Sequence, residues 1–263
     1  MSERTLNLQK SVELIQVALG DEPEKAKALA QKLGLPVVEE GRPPKGEAGV
    51  VTLRYRDGKL QALSADQSGS QFVVEADFLQ VSNAKRLLRA RSELVVKAVQ
   101  GRQKTSLTVL DATIGLGGDA MLIAAMGHQV IGLERAPLVY ELVADGLDRA
   151  GQAGVKALPE LVLADAAEWL TEQSDRQFDV IYLDPMFEAS GKQALPRKQM
   201  QLLRQVGSDL SGIERLFHNA RQRARLRVVV KRPPKGDWLV ESPAYSIKGQ
   251  RVRFDIYSPV ARK

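Results

Sequence analysis

Apolar positions along this chain follow two spacings, one typical of strands and one typical of helices. Short aliphatic runs predict strands at residues 108–110, 129–133, 160–163, 179–183 and 227–231. Helical spacing lies between them, for example at residues 120–125. This alternation predicts a parallel sheet with helices on both faces. The final segments, residues 245–248 and 251–257, predict instead an antiparallel hairpin.

The N-terminal part has a different pattern and predicts a small α/β lobe. Helical spacing at residues 26–33 ends at Gly34, with Asp21 or Glu22 as the N-cap. Asp57-Gly58 predicts a hairpin, and extended segments are expected at residues 37–38 and 72–76. Residues 41–46 predict a turn or linker. We divide the chain into a lobe at residues 1–80 and a main domain at residues 81–263, which begins with a helix at 85–99 that directs Leu88, Val95 and Val99 inward.

Composition restricts the chemistry that the chain can perform. The 263 residues include no cysteine, which excludes disulfides, thiolate metal sites and a cysteine nucleophile. The only histidines, His128 and His218, are expected at the surface, so we expect no metal. No apolar run approaches a membrane span of ~18 residues, and the first residues do not resemble a secretory signal, which together favour a cytoplasmic protein. The net charge of +6 favours a polyanionic partner.

A glycine-rich turn follows the first strand of the main domain. Asp111 ends the strand, the glycines are Gly115, Gly117 and Gly118, and Asp119 begins a helical pattern. A strand, a glycine turn and a helix form a nucleotide-binding edge in α/β sheets. The spacing also fits a loose dinucleotide pattern, but two carboxylates would repel a pyrophosphate. They would favour the sulfonium and ammonium groups of S-adenosylmethionine.

Acidic residues also end the next two strands. Glu134 stands 19 residues after Gly115, where a carboxylate is expected to bind ribose hydroxyls. Asp165 follows the strand at residues 160–163 and is placed to accept from an adenine amino group, although a helix cap is an equal alternative. The carboxyl ends of parallel strands meet at one edge, so we expect these acids to line one site.

The tetrapeptide Asp184-Pro185-Met186-Phe187 follows the fourth strand. It resembles the Asp/Asn-Pro-Pro-Tyr/Phe signature of methyltransferases that act on exocyclic amines of nucleobases or on amides. Asp184 would accept from the amine, Pro185 would stiffen the turn, and Phe187 would stack on an unstacked base. Such an arrangement acts mainly by positioning the nitrogen for in-line attack.

Several segments together resemble the bacterial RsmJ family. They are residues 111–119, 182–187 (Tyr-Leu-Asp-Pro-Met-Phe), 228–233 (Val-Val-Val-Lys-Arg-Pro) and 248–257. The resemblance implies a class I methyltransferase sheet with an antiparallel final strand, and S-adenosylmethionine-dependent methylation of a guanine N2 in small-subunit (16S) ribosomal RNA. It places donor contacts at Gly118–Asp119, Glu134–Arg135, Asp165–Ala166 and Asp184. At position 118 this chain has glycine where the family usually has arginine.

Basic residues are dense around the predicted site and favour phosphate contacts, although such runs also occur on solvated helix faces. The residues expected to bind RNA are Lys192, Arg197, Lys198, Arg221, Arg223, Lys231 and Arg232. The expected partner is therefore ribosomal RNA or the small ribosomal subunit. Methylation of adenine N6 or of a protein glutamine, and a non-catalytic RNA-binding role on the same fold, remain alternatives. A nicotinamide oxidoreductase fits least, because no residues resemble a hydride-transfer site.

Overall fold

The computed structural model describes residues 14–39, 49–65, 70–173, 175–185 and 212–260. These residues form two compact units. The first contains residues 14–76 and 136–146 within the described ranges, and the second contains residues 77–135, 147–185 and 212–260. A domain boundary at residue 80 stays a prediction.

The first unit is built on a five-stranded sheet with the order β2-β1-β3-β4-β5. Its elements are β1 (Leu14–Ala18), α1 (Pro23–Leu33), β2 (Val37–Val38), β3 (Val50–Arg56), β4 (Lys59–Ala65) and β5 (Gln71–Val74). The predicted helix and hairpin are confirmed: Gly34 closes α1 in the left-handed conformation, and Asp57 and Gly58 turn the chain with positive φ. Strand β1 is not predicted by the sequence pattern. The predicted turn at residues 41–46 lies outside the described residues.

The second unit is built on a seven-stranded sheet with the order β11-β12-β10-β9-β6-β7-β8. All neighbours in it are parallel except β12, which runs antiparallel to both β10 and β11. The strands are β6 (Thr108–Asp111), β7 (Gln129–Glu134), β8 (Glu160–Leu163), β9 (Phe178–Leu183), β10 (Ala224–Arg232), β11 (Tyr245–Lys248) and β12 (Arg253–Tyr257). The predicted α/β fold class is confirmed, including the terminal hairpin.

Seven helices flank the strands in the described parts of the chain. Besides α1 they are α2 (Val81–Leu88), α3 (Leu94–Gln100), α4 (Gly118–Ala125), α5 (Pro137–Gln152), α6 (Ala166–Glu172) and α7 (Ile213–Arg223). The main core lies where α6 and α7 cover β9, β10 and β12, and Phe217 of α7 packs edge-on against Tyr257 of β12 at 4.8 Å between ring centres. Both rings are almost fully buried, and each such side chain stabilises the fold by about 1.5–3 kcal/mol.

Two local predictions are wrong. The single helix expected at residues 85–99 is divided by a 3-10 turn at Ala90–Ser92, and Leu88 is 88% exposed instead of buried. The Ser92 hydroxyl donates to the Arg89 carbonyl at 2.8 Å, and Glu93 is extended, so local side-chain bonding competes with the helix. His128 is buried and not at the surface as predicted. Its Nδ1 accepts a hydrogen bond from the Leu107 amide at 3.2 Å, which satisfies one of its two ring nitrogens.

Candidate active site

The site is built at the carboxyl edge of the parallel strands, where the loops after β6, β7, β8, β9 and β10 emerge. Asp111 is the last residue of β6 and Glu134 the last of β7, while Asp184 directly follows β9. The strand pairing thus brings residues far apart in sequence to one edge, as the alternation of strands and helices predicts.

The glycine turn is fixed to both neighbouring strands. Gly115 and Gly117 have φ values of 53° and 76°, a region that L side chains rarely adopt. The Ile114 amide donates to the Leu133 carbonyl of β7 at 3.1 Å, and the Ala112 amide donates to the Tyr182 carbonyl of β9 at 2.9 Å. These two hydrogen bonds hold the turn against β7 and β9.

Glycine at position 132 of β7 is required by this packing. A Cβ there would lie 2.2 Å from Ile114 Cδ1 and 3.2 Å from Ile114 Cβ. Because the clash reaches the branch point of Ile114, rotation of the side-chain tip cannot relieve it. Gly132 thus lets the turn pack directly on β7.

Asp119, in the first turn of α4, accepts from three side chains. Tyr182 Oη lies 2.8 Å from Asp119 Oδ2, Lys231 Nζ lies 2.8 Å from the same oxygen, and Arg86 Nη2 lies 3.3 Å from Oδ1. Burial alone would raise the pKa of Asp119, but the charge of Lys231 and these hydrogen bonds outweigh it and lower the pKa. Asp119 is therefore ionised at neutral pH.

Lys231 joins Asp119 to Asp184. Its Nζ also lies 2.7 Å from Asp184 Oδ2. Burial alone would lower the pKa of Lys231, but the two carboxylates outweigh it and raise the pKa, so the ammonium group stays charged. The ammonium thus forms a bridge between the glycine-turn helix α4 and the residue that follows β9.

Asp184 is held at two points and is still accessible. Its backbone amide donates to Thr113 Oγ1 at 2.6 Å, and its carboxylate is paired with Lys231, while 37% of its side chain remains exposed. Burial raises the pKa of Asp184, and the nearby Asp119 adds to this, although Lys231 opposes it. A carboxylate with a raised pKa accepts a proton more readily than an ordinary aspartate.

Asp111 has a different environment from Asp119. It is 1% exposed, and its Oδ1 accepts from the Thr113 amide at 3.1 Å. Burial raises the pKa of Asp111 well above its usual value, although the hydrogen bond from Thr113 opposes this shift. We place Asp111 beneath the turn, where it holds the backbone that carries Thr113.

The acids after β7 and β8 are placed at the same edge. Glu134 is half-buried, its carbonyl accepts from the Ala164 amide at 2.9 Å, and Arg135 follows it. Asp165 caps α6, because its Oδ1 accepts from the amides of Ala167 and Glu168 at 2.9 and 3.1 Å, while Ala166 begins the helix. The helix-cap alternative therefore applies to Asp165 and occupies one of its two oxygens.

The predicted RNA-binding arginines that the structure describes contact acceptors within this chain. Arg221 Nε donates to the Ser258 carbonyl at 2.9 Å and its Nη1 pairs with Glu241, while Arg223 Nε donates to the Leu170 carbonyl at 3.3 Å. Arg232 is 7% exposed, and its Nε donates to the Asp237 carbonyl at 2.8 Å. RNA contacts by these residues stay a prediction. Pro185 is buried, and Phe187, Lys192, Arg197 and Lys198 lie outside the described residues.

Sequence reasoning did not find Arg86, Thr113 or the hydroxyl of Tyr182 as parts of this site. Arg86 is exposed on α2, and its Nη1 lies 3.9 Å from the position of a Cβ on Gly118. A guanidinium from α2 thus lies beside the position at which the RsmJ family usually has arginine. In the sequence, Gly118 was the one indication that a cation from another part of the chain lies beside this position.

The chemistry of these groups fits S-adenosylmethionine. The edge formed by β6, β7 and β8 presents the glycine turn, Glu134 and Asp165. Carboxylates accept from hydroxyl and amino groups and attract a sulfonium or ammonium charge, whereas they repel phosphate.

The described residues contain no cluster of three or more metal-ligating side chains. Within the same residues, no helix is long and apolar enough to cross a membrane.

Comparison with known proteins identifies relatives over most of the chain. The profile of a family described as "Putative SAM-dependent methyltransferase" matches residues 37–259. Ribosomal RNA small subunit methyltransferase J from Thioalkalivibrio sulfidiphilus is 34% identical over 252 residues, which cover 92% of this chain and 96% of that protein. The protein of the same name from Marinobacter nauticus is 38% identical over 245 residues, which cover 90% of this chain and 87% of the relative.

A solved structure has a similar fold. It is a SAM-dependent methyltransferase from Neisseria gonorrhoeae, with a TM-score of 0.67 and 27% sequence identity. The similarity covers 94% of this chain and 97% of that chain. The likeness therefore includes both compact units.

Proposed function

Because this chain belongs to the family of S-adenosylmethionine-dependent methyltransferases that includes Ribosomal RNA small subunit methyltransferase J, we propose that it methylates the exocyclic N2 of a guanine in 16S ribosomal RNA. The observation that carries the proposal is the bridge from Lys231 to Asp119 and Asp184. It connects the donor-binding turn with the residue that we assign to the substrate amine. A cytoplasmic location follows from this substrate.

The donor would be held by residues on the β6–β8 side of the edge. Glu134 would accept from the ribose hydroxyls, and Asp165 would accept from the adenine amine through the oxygen that does not cap α6. The amides of the glycine turn would contact the amino-acid portion. When bound there, S-adenosylmethionine supplies a methyl group on a positively charged sulfur.

Asp184 orients the nitrogen that receives the methyl group. The exposed part of its carboxylate can accept hydrogen bonds from an amine, while Thr113 and Lys231 keep the backbone and the side chain in place. Holding a nucleophile in line with its target accounts for much of catalysis in such reactions. The raised pKa of Asp184 also suits it to take the proton that the amine loses.

The residue type at position 184 favours guanine over adenine. A carboxylate offers only acceptors, and guanine presents two adjacent donors, N1–H and N2–H. Adenine presents the N6 donor beside the N1 acceptor, which an amide side chain would match better. The ammonium of Lys231 opposes the rise in the pKa of Asp184 and so favours the ionised, acceptor-only carboxylate.

The proposal is tested by supplying S-adenosylmethionine with a labelled methyl group and several acceptors: 16S ribosomal RNA, assembled small subunits, DNA and protein. We expect label in ribosomal RNA or in the subunit, as N2-methylguanosine after digestion. Label in adenosine or in a glutamine side chain would contradict the guanine assignment. A protein that binds the donor and RNA and transfers no methyl group to any acceptor would contradict the proposed activity.

A further inference from the structure

An exposed tryptophan lies in the loop between β10 and β11. Trp238 is 56% exposed, and its neighbour Leu239 packs partly into the core. The sequence contains only two tryptophans, and the other, Trp169, packs against Phe178 with 6.0 Å between ring centres. An exposed indole offers a face on which an unpaired nucleic-acid base can stack.

Buried arginines fix the backbone of this loop. Arg232 Nε donates to the Asp237 carbonyl at 2.8 Å, and Arg253 Nη1 donates to the Pro234 carbonyl at 3.3 Å. Arg253 is itself paired through two 2.8 Å hydrogen bonds with Asp255, which is fully buried. The backbone that carries the indole is therefore held in place by hydrogen bonds, which lowers the entropic cost of binding a ligand.

The loop begins at the catalytic edge of the sheet. Lys231, which contacts Asp184, directly precedes Arg232, which contacts Asp237. The turn between β11 and β12 is at the same edge, because Arg253 pairs with both Arg232 and Lys248 across the strands. Trp238 directly follows Asp237, whose carbonyl is bonded to Arg232 at the end of β10 that faces the proposed substrate acceptor.

Exposed cations lie on the loop that carries Trp238 and on the neighbouring β11–β12 turn. They are Lys235 in the loop and Lys248 and Arg251 at the β11–β12 turn. Asp237 is an exposed acid among them. An exposed ring and exposed cations on segments that meet at one edge match single-stranded nucleic acid, whose bases stack on aromatic faces while its phosphates attract lysine and arginine.

We propose that Trp238, Lys235, Lys248 and Arg251, together called the Trp238 surface, bind single-stranded RNA beside the target nucleotide. One unpaired base stacks on the indole, and the cations contact phosphates on either side. This inference rests on the proposed function, because it assigns part of the RNA substrate to that same edge. It also gives Arg232 a supporting role, in place of the direct RNA contact that the sequence predicts.

Tryptophan fluorescence tests the stacking directly. Trp169→Phe, a conservative change in a tilted aromatic pair, leaves Trp238 as the only tryptophan. We expect a single-stranded fragment of 16S ribosomal RNA to quench its emission, and a fully paired duplex of the same length to quench it less. Unchanged emission at RNA concentrations that saturate binding would overturn the proposal.

Affinity measurements separate stacking from charge. Trp238→Ala should weaken RNA binding about 5- to 150-fold, the range expected for one lost base–aromatic stack, while Trp238→Phe should retain most of the affinity. The dependence on salt should stay the same for Trp238→Ala and flatten by roughly 0.7 for Lys235→Met, if that lysine contacts one phosphate. Binding of S-adenosylmethionine should not change in any of these variants.

Val260→Ala is the control. Val260 is 45% exposed, and its amide donates to the Arg221 carbonyl at 3.0 Å, close to the end of α7 that leads into the first residue of β10. It should leave RNA affinity unchanged. If the wild type methylates RNA but Trp238→Ala binds RNA with wild-type affinity, the Trp238 surface is refuted and the proposed function stands. If RNA quenches Trp238 but no acceptor is methylated, the surface stands and the proposed activity fails.

Discussion

Replacement of Lys231 by methionine tests the ion bridge at the centre of the site. The change removes an ammonium that lies 2.8 Å from Asp119 and 2.7 Å from Asp184, and it keeps a side chain of similar length. A hydrogen bond to a charged group contributes about 1.5–3 kcal/mol when it is shielded from water, as it is at Asp119. The contact with the more exposed Asp184 contributes only ~0–1 kcal/mol. We therefore expect a loss of about 1.5–4 kcal/mol in the free energy of unfolding at pH 7.

The pH dependence of this loss follows from the carboxyl groups that remain. Without Lys231, Asp119 loses the charge that lowers its pKa, and the pKa of Asp184 rises further. A carboxyl whose pKa is higher in the folded state takes up a proton first in that state, so acid stabilises the fold. The difference between wild type and Lys231→Met should therefore shrink as the pH falls from 7 to 5. In the wild type, the stabilisation through Asp119 is lost only below the unfolded pKa of about 3.9, as the pH falls through the lowered folded pKa.

Urea unfolding of both proteins at several pH values is the measurement. Lys97→Met serves as the control, since Lys97 is an exposed lysine of the same unit. It should change the free energy of unfolding by less than about 0.5 kcal/mol. An equally small effect of Lys231→Met, constant between pH 5 and 7, would refute the bridge as we describe it.

Three further predictions concern catalysis and binding. Asp184→Ala should lower single-turnover methyl transfer by ~10²-fold or more, and Asp184→Asn should retain more activity because it keeps a carbonyl acceptor; a folded Asp184→Ala that reacts at the wild-type rate would contradict the assignment. Glu134→Ala should weaken S-adenosylmethionine binding in calorimetry by about 1.5–3 kcal/mol, whereas tight NAD binding without a response to the methyl donor would end the methyltransferase account. Charge removal at Arg221 and Arg223 should flatten the salt dependence of RNA binding by roughly 0.7 for each phosphate contact, and an unchanged slope would assign both residues to contacts within the protein.

The architecture was predictable because short-range pattern determines it. Aliphatic runs that alternate with helical spacing predict parallel strands, and parallel strands place their final residues at one edge. This reasoning located Asp111, Glu134 and Asp184 correctly at that edge. The hairpin at Asp57-Gly58 was predictable for the same reason, since its turn chemistry is local.

The pairing of charges was not predictable, because it depends on contacts between distant parts of the chain. Arg86 reaches Asp119 across 33 positions, and Lys231 reaches it across 112. The sequence showed Lys231 as one of many cations and favoured phosphate as its partner. Only the strand order of the folded sheet, which places β10 beside β9 and β9 beside β6, assigns it to two carboxylates.

Local competition explains the errors in the helices. The pattern at residues 85–99 is compatible with one helix. In the structure the Ser92 hydroxyl donates to the Arg89 carbonyl, and the helical backbone is interrupted at Glu93, which is extended. Asp165 fits both a ligand contact and a helix cap in the sequence, and the cap uses one carboxylate oxygen and leaves the other to the donor. Such alternatives differ by only about 1 kcal/mol, which periodicity cannot resolve.

The proposed reaction is methylation of N2 of a guanine in 16S ribosomal RNA, with Asp184 as the acceptor of the amine hydrogens. The direct measurement is mass spectrometry of nucleosides mapped along 16S ribosomal RNA from a strain that lacks the gene, and from that strain complemented with wild type or Asp184→Ala. We predict that one N2-methylguanosine disappears in the deletion strain, returns with wild type and does not return with folded Asp184→Ala. Unchanged N2-methylguanosine in the deletion strain, or full restoration by Asp184→Ala, would contradict the account.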